Sequence, residues 1–210
     1  KPVLQNFINN WNNPSVGGGE KNPGCWQTFS LGQVQFIMLD CRYYRDRKEK
    51  SMLGTFQKQW LKDTLRNSEA TFKVIASSVP FSEGIKPGSK DPWDGYPEER
   101  EEIFSFIEKE KIEGVLLIAA DRHRIDFRKT PRPNGYDFLE FVSGRITNRH
   151  VHSVVKTDGL VWGYNKTCGY CLLKFDTTKK NPVMKFEAYD NRGELLFAQK
   201  VFSTDLKFKQ

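Results

Sequence analysis

Val115 to Ala120 reads Val-Leu-Leu-Ile-Ala-Ala, six apolar residues without a break. A run of that length is far short of the roughly 18 residues of a membrane-spanning helix. It has no polar face to offer water, so it fits a strand covered on both sides. Gly114 precedes it and Asp121-Arg122-His123 ends it. The rest of the chain must therefore supply helices or a second sheet for both faces of this strand.

The segments around it meet that demand. Pro97 to Lys111 reads as a helix, with Pro97 suited to a first helical position and Glu98, Glu99, Glu101 and Glu102 complementing the positive N-terminal end. Its core stripe is Ile103, Phe104, Phe106 and Ile107. Phe56 to Arg66 reads as a second amphipathic helix, with Phe56, Trp60, Leu61 and Leu65 on one face. Phe72 to Ser78 is a short buried strand, and Cys25 to Ser30 with Val34 to Asp40 form a hairpin. Strand, helix, strand, helix, strand implies crossover connections and an α/β sheet covered on both faces. The last third changes character. Tyr136 to Val142, Leu160 to Tyr164, Gly169 to Asp176, Val183 to Tyr189 and Glu194 to Phe202 read as strands, the last two joined at Asp190-Asn191-Arg192-Gly193. An antiparallel layer should close the chain. No linker divides residues 1–210 into separate domains.

With 38% hydrophobic residues and 16 Phe, a packed core is expected. No stretch resembles a membrane span, and Lys1-Pro2-Val3-Leu4 is not a signal peptide. The net charge of +7 suits anionic partners or simply a solvated surface. Basic residues cluster only briefly, as at Arg45 to Lys48 and around Arg124 to Arg132, which argues against a dedicated nucleic-acid domain. Cys25 and Cys41 lie on neighbouring strand segments and could be bridged, and Cys168 and Cys171 lack a second pair for a zinc site. Structural thiols or disulfides fit all four, and an even count leans towards an oxidising compartment. Asn165-Lys166-Thr167 is a formal glycosylation sequon. No Gly-rich phosphate loop, nucleophile elbow or dinucleotide fingerprint is present.

Candidate chemistry gathers at strand ends. Asp121 and His123 follow the apolar strand at its C-terminal end, where open α/β sheets bind ligands. A carboxylate and an imidazole two apart can converge on a metal, or merely cap the strand. Asp40 ends another buried strand. Arg42 beyond it could clamp an anionic oxygen or pair with Asp40. Asp94 precedes the helix at Pro97, as a site residue near the helix N-terminus or as a plain N-terminal carboxylate. His150 and His152 suit a site rim or the surface.

Four segments, in order, resemble one family. Asp40-Cys41-Arg42-Tyr43-Tyr44-Arg45 is similar to its Asp-x-Arg-x-Tyr-Arg. Leu53-Gly54 with Gln57 and Trp60-Leu61 is similar to Leu-Gly-x-x-Gln-x-x-Trp-Leu. Trp93-Asp94-Gly95-Tyr96-Pro97 with Arg100 matches Trp-Asp-Gly-Tyr-Pro-x-x-Arg, and Asp121-Arg122-His123 falls at Gly-Asp-x-His, Ala120 replacing the Gly. The chain thus resembles the PhoD-like, alkaline phosphatase D family of calcineurin-type metallophosphoesterases. The resemblance implies a four-layer α/β/β/α sandwich and hydrolysis of phosphomonoesters or phosphodiesters, with iron and calcium as cofactors. It assigns metal roles to Asp121 and His123, catalytic support to Asp94 and Arg42, and substrate-pocket roles to Trp93 and Tyr96. It also implies a secreted, periplasmic or cell-surface location. The family's earlier metal motifs have no counterpart before residue 40, and Lys1 to Trp11 reads as a helix entered midway. The expectation is therefore the C-terminal part of one such domain. Its N-terminal part, in the same precursor or a separate chain, would be a required partner. Alone, this chain should show little activity and an exposed apolar sheet edge. The alternative is a non-catalytic binding protein, or inactive fragment, that keeps the fold.

Overall fold

A computed structural model describes residues 2–12, 17–147 and 149–209. Lys1, Asn148 and Gln210 therefore lie outside the described residues, as do residues 13–16.

Helix α1 spans Pro2–Asn10. Strands β1 (Gln27–Leu31) and β2 (Val34–Met38) form the expected hairpin. Helix α2 (Gly54–Arg66) leads to β3 (Phe72–Ala76), and α3 (Pro97–Lys109) leads to β4 (Val115–Ala119). β5 (Ile125–Thr130), β6 (Phe138–Val142) and β7 (Leu160–Tyr164) follow, then β8 (Gly169–Asp176), β9 (Val183–Asp190) and β10 (Leu195–Phe202). The described strands form a 7-stranded sheet in the order β1-β2-β3-β4-β6-β5-β7 and a 3-stranded sheet in the order β10-β9-β8. β2, β3, β4 and β6 run parallel, as crossovers through α2 and α3 require. β5 and β7 are antiparallel additions, and the small sheet is antiparallel throughout.

Each face of the large sheet has its own cover. On one side Phe104 of α3 meets Phe138, with ring centroids 4.7 Å apart, and Phe81 stacks on Trp93 at 4.7 Å. On the other, Phe186 of the small sheet packs 4.6 Å from Phe141, and Phe175 packs 5.3 Å from Phe72. Val115, Leu116 and Leu117 are 0–1% exposed between these layers, so the first half of the apolar run is buried on both faces, while Ala120 at its end is exposed. Helices, large sheet and small sheet supply three layers of an α/β/β/α sandwich.

Three local expectations need correction. Phe56 is 58% exposed, and Gln57 turns inward instead. Its Oε1 accepts from the Asp40 N–H at 2.7 Å and its Nε2 donates to the Asp40 carbonyl at 2.8 Å, so the helix face is set by a strand end that needs its peptide satisfied. The Arg124 to Arg132 cluster is not a solvated stretch. Much of it is β5, which reading by composition missed, and Arg124 and Arg128 are 1% and 0% exposed. Tyr136 precedes its strand; its hydroxyl donates to the Ile112 carbonyl and accepts from the Val115 N–H, at 2.8 and 3.1 Å, tying the loop to the start of β4. Of the two alternatives for the cysteines, the structure has free thiols, with Cys41 buried and its Sγ 3.3 Å from Ser77 Oγ. At β1, a sheet edge, Phe29 and Leu31 are 38% and 65% exposed.

Candidate active site

Parallel strands end on a common edge, and the registers Met38–Ala76, Ala76–Ile118 and Ala119–Val142 bring Asp40, Ser77, Asp121 and Ser143 out there together. This is the edge at which open α/β sheets bind ligands.

Asp121 and His123 leave β4 with φ of +72° and +52°, the left-handed region that side chains other than glycine enter at a cost of roughly 1–3 kcal/mol each. Asp121 Oδ2 is buried, without a hydrogen bond, and lies 3.5 Å from Lys86 Nζ. His123 Nδ1 lies 3.1 Å from the His150 carbonyl oxygen. The rings of His123, His150 and His152 gather with centroids 4.6–5.7 Å apart, which places the chain's 3 histidines at one corner. The His152 imidazole is pushed down to about 4, by burial first and then by Arg122 and its other cationic neighbours. Asn165 Nδ2 donates to the His152 carbonyl at 3.1 Å, so the sequon asparagine is a strut for this corner.

The loop after β3 joins the remaining pieces. Gly84 N–H donates to Asp94 Oδ2 at 3.0 Å, the Ile85 carbonyl accepts from Arg124, and Lys86 faces Asp121 and Asp91. Burial raises the Asp94 carboxyl above its usual range, opposed by Arg100 at 3.4 Å. Asp94 lies in the tight turn Trp93–Gly95 before α3. A Cβ at Gly95 would sit 2.4 Å from the Lys90 carbonyl, so only glycine allows the turn to close on that strand of backbone.

The Arg42 side chain does not pair with Asp40. It grips Asp91 through two hydrogen bonds of 2.6 and 3.3 Å, and Arg45 joins the same carboxylate at 2.7 Å. Arg42 first, with Arg45, holds the Asp91 carboxyl well below the usual range. Trp93 and Tyr96 are 0% and 1% exposed. Trp93 Nε1 donates to Ser77 Oγ at 3.1 Å, so these rings form the floor under the Asp94 turn instead of an open pocket wall.

Reading by residue type also missed the support for this corner. Arg124, Asp126 and Arg128 point the same way from β5, as alternate residues of a strand do. Asp126 Oδ2 accepts from Arg124 Nε and Arg128 Nε, each at 3.0 Å. Arg124 Nη1 then donates to the Ser153 carbonyl at 2.7 Å, and Arg128 donates to the Val155 carbonyl and Thr157 hydroxyl at 2.9 and 2.8 Å. The segment bearing His150 and His152 is thus strapped across the sheet. Alternation of charge with Ile125 and Phe127 was the signal that could have revealed it.

Among the described residues, no group of three or more His, Cys, Asp or Glu side chains is arranged to hold a metal ion. Asp121 and His123 offer one carboxylate and one imidazole, fewer than the four or more donors that zinc or calcium takes. They do not make a metal site by themselves.

The family model of PhoD-like phosphatase matches residues 9–206. Alkaline phosphatase D of Bacillus subtilis (strain 168) is 30% identical over 153 residues, which cover 59% of this chain and 26% of that protein. A solved structure of PhoD overlays with a TM-score of 0.61 at 22% identity, covering 95% of this chain and 48% of the other. GAP50, described as the anchor in the inner membrane complex of Plasmodium, overlays at 0.53 with 16% identity, covering 88% of this chain and 54% of the other. These structural likenesses show the fold, and the chain spans only part of each relative. From the match along nearly its whole length, this chain belongs to the PhoD-like phosphatase family.

Proposed function

We propose that the full protein carrying this chain hydrolyses phosphate esters, monoesters or diesters, at the edge formed by Asp121 and His123. The observation that carries the reading is a strained carboxylate–imidazole turn at the ligand-binding edge, in a member of a phosphatase family. Strain held by surrounding structure is a feature of functional sites.

The chain's own contribution is positioning and charge. Asp121 and His123 are its metal donors in this proposal. Iron and calcium would supply phosphoryl polarisation and a hydroxide nucleophile, with the missing donors provided by the N-terminal part of the domain. Asp94 shapes the turn beside the substrate. Arg42 sets the neighbouring loop through Asp91, while Trp93 and Tyr96 support it from below. A secreted, periplasmic or cell-surface location belongs to the same reading.

The test is turnover of p-nitrophenyl phosphate and bis(p-nitrophenyl) phosphate by the full protein, before and after chelation and reloading with iron and calcium. Metal-dependent turnover of either ester is expected. Absence of turnover in protein that holds both metals would overturn the proposal. Residues 1–210 alone should show little or none. A second reading, a non-catalytic binding protein on the same fold, draws support from the short donor set. It predicts no stoichiometric metal in the full protein.

A further inference from the structure

Arg122 is 3% exposed, yet its Nε and Nη1 are buried and meet no hydrogen-bond acceptor. A buried guanidinium normally has its donors filled, because leaving charged donors unmet is costly. The nearby acids are mostly committed. Asp126 binds both Arg124 and Arg128, while Glu140, paired in register with Arg128, accepts the Phe81 and Ser82 N–H groups at 2.6 and 2.9 Å. Asp121 is left to face both Arg122 and Lys86, and its contact with Lys86 is a loose 3.5 Å. Lys86 is shared between Asp121 and Asp91, and neither carboxylate fills the Arg122 donors. Arg122 also stands between the two left-handed residues of the proposed site.

We propose that Arg122, assisted by Lys86, is the receptor for a tetrahedral oxyanion: the phosphoryl group of the ester, and inorganic phosphate as product. Nε–H and Nη1–H lie on different edges of the guanidinium, so a phosphate oxygen at either edge would accept one charge-assisted hydrogen bond. Asp121 beside them favours an anion held by directed donors over free entry of any negative charge. This inference rests on the phosphate-ester reading for its ligand, but its test does not need catalysis.

The experiment compares thermal unfolding of the full, metal-stripped protein in inorganic phosphate, sulfate and chloride at equal ionic strength. Wild type, Arg122→Met and Arg122→Lys are used, with phosphate affinity measured by calorimetry. Wild type should be stabilised by phosphate beyond chloride. Arg122→Met should be at least as stable as wild type without phosphate, since an unmatched buried charge has been removed, and should bind phosphate about ten- to a hundredfold more weakly, as loss of charge-assisted bonds implies. Arg122→Lys should retain part of the affinity. Sulfate binding as tightly as phosphate would reduce the site to a general oxyanion pocket and overturn its assignment to the substrate. A phosphate effect that survives in Arg122→Met would overturn the proposal. So would an Arg122→Met variant that is destabilised or unfolded in chloride, because that shows Arg122 serving a protein partner. Phosphate binding at Arg122 without ester turnover would end the hydrolase reading and leave this site standing. Turnover without any phosphate effect would do the reverse.

Discussion

Asp40 and Asp121 are carboxylates in the same topological position, each just past the C-terminal end of a parallel strand in one sheet. Their surroundings are opposite. Asp40 Oδ1 accepts the N–H groups of Arg42 and Tyr43, both at 2.9 Å, and its Oδ2 accepts that of Cys25 at 3.0 Å. Asp121 sits on left-handed backbone, and its buried Oδ2 has no hydrogen bond. A carboxylate filled by backbone donors is a fastener for the loops it holds. One kept in a strained conformation with an unfilled oxygen is available for a ligand. Position at a strand end selects candidates, and hydrogen-bond satisfaction separates them.

That contrast can be broken by experiment. Asp40→Ala should lower stability by about 3 kcal/mol, because it strands three backbone donors at once; chemical denaturation measures it. Asp121→Ala should shift stability by less than about 1 kcal/mol yet reduce ester turnover by about a hundredfold, equivalent to about 2.7 kcal/mol of barrier. If the two variants lost stability equally, the distinction would fail. His123→Gly should hold or raise the melting stability by up to about 1 kcal/mol, since glycine enters the left-handed region freely, while turnover falls. A clear destabilisation there would mean that the strain is repaid by contacts of the imidazole.

The smallest expected effect is on pH dependence, and it sharpens the comparison with two further acids. Asp91 has its carboxyl lowered in the folded protein by Arg42 and Arg45. Its contribution is therefore present above the ordinary carboxylate pKa of about 3.9 and is lost as pH falls below it. Asp94 is raised by burial, so it opposes folding at neutral pH, and that opposition is relieved on acidification. Unfolding measured between neutral and acid pH should show Asp91→Asn losing less stability than wild type as pH drops, and Asp94→Asn losing more. The same slope in all three proteins would remove these assignments.

The strands that carry the site were legible where burial is uniform. Val115 to Ala119 announces itself because both faces are covered, and Asp121 and His123 follow directly from it. Pro97 and the acidic first turn fixed the start of α3. β5 was obscured because its two buried arginines share Asp126, a pairing that composition reads as a polar cluster. Lys86 and Asp91 gave no signal, since their importance comes from contacts across long sequence separations. Nor did the left-handed backbone at Asp121 and His123, where neither glycine nor asparagine marks the turn.

The strap from β5 has a consequence for how this site can diversify. Arg124 and Arg128 hold the crossing segment mainly through the carbonyls of Ser153 and Val155, with Thr157 contributing its hydroxyl. Carbonyls are the same whatever side chain a residue bears. The segment's path is therefore largely indifferent to its own sequence at positions 153 and 155, and substitutions there would present new groups from an unchanged frame. Ligand preference could be retuned on that segment while the shape of the edge is kept by two buried arginines.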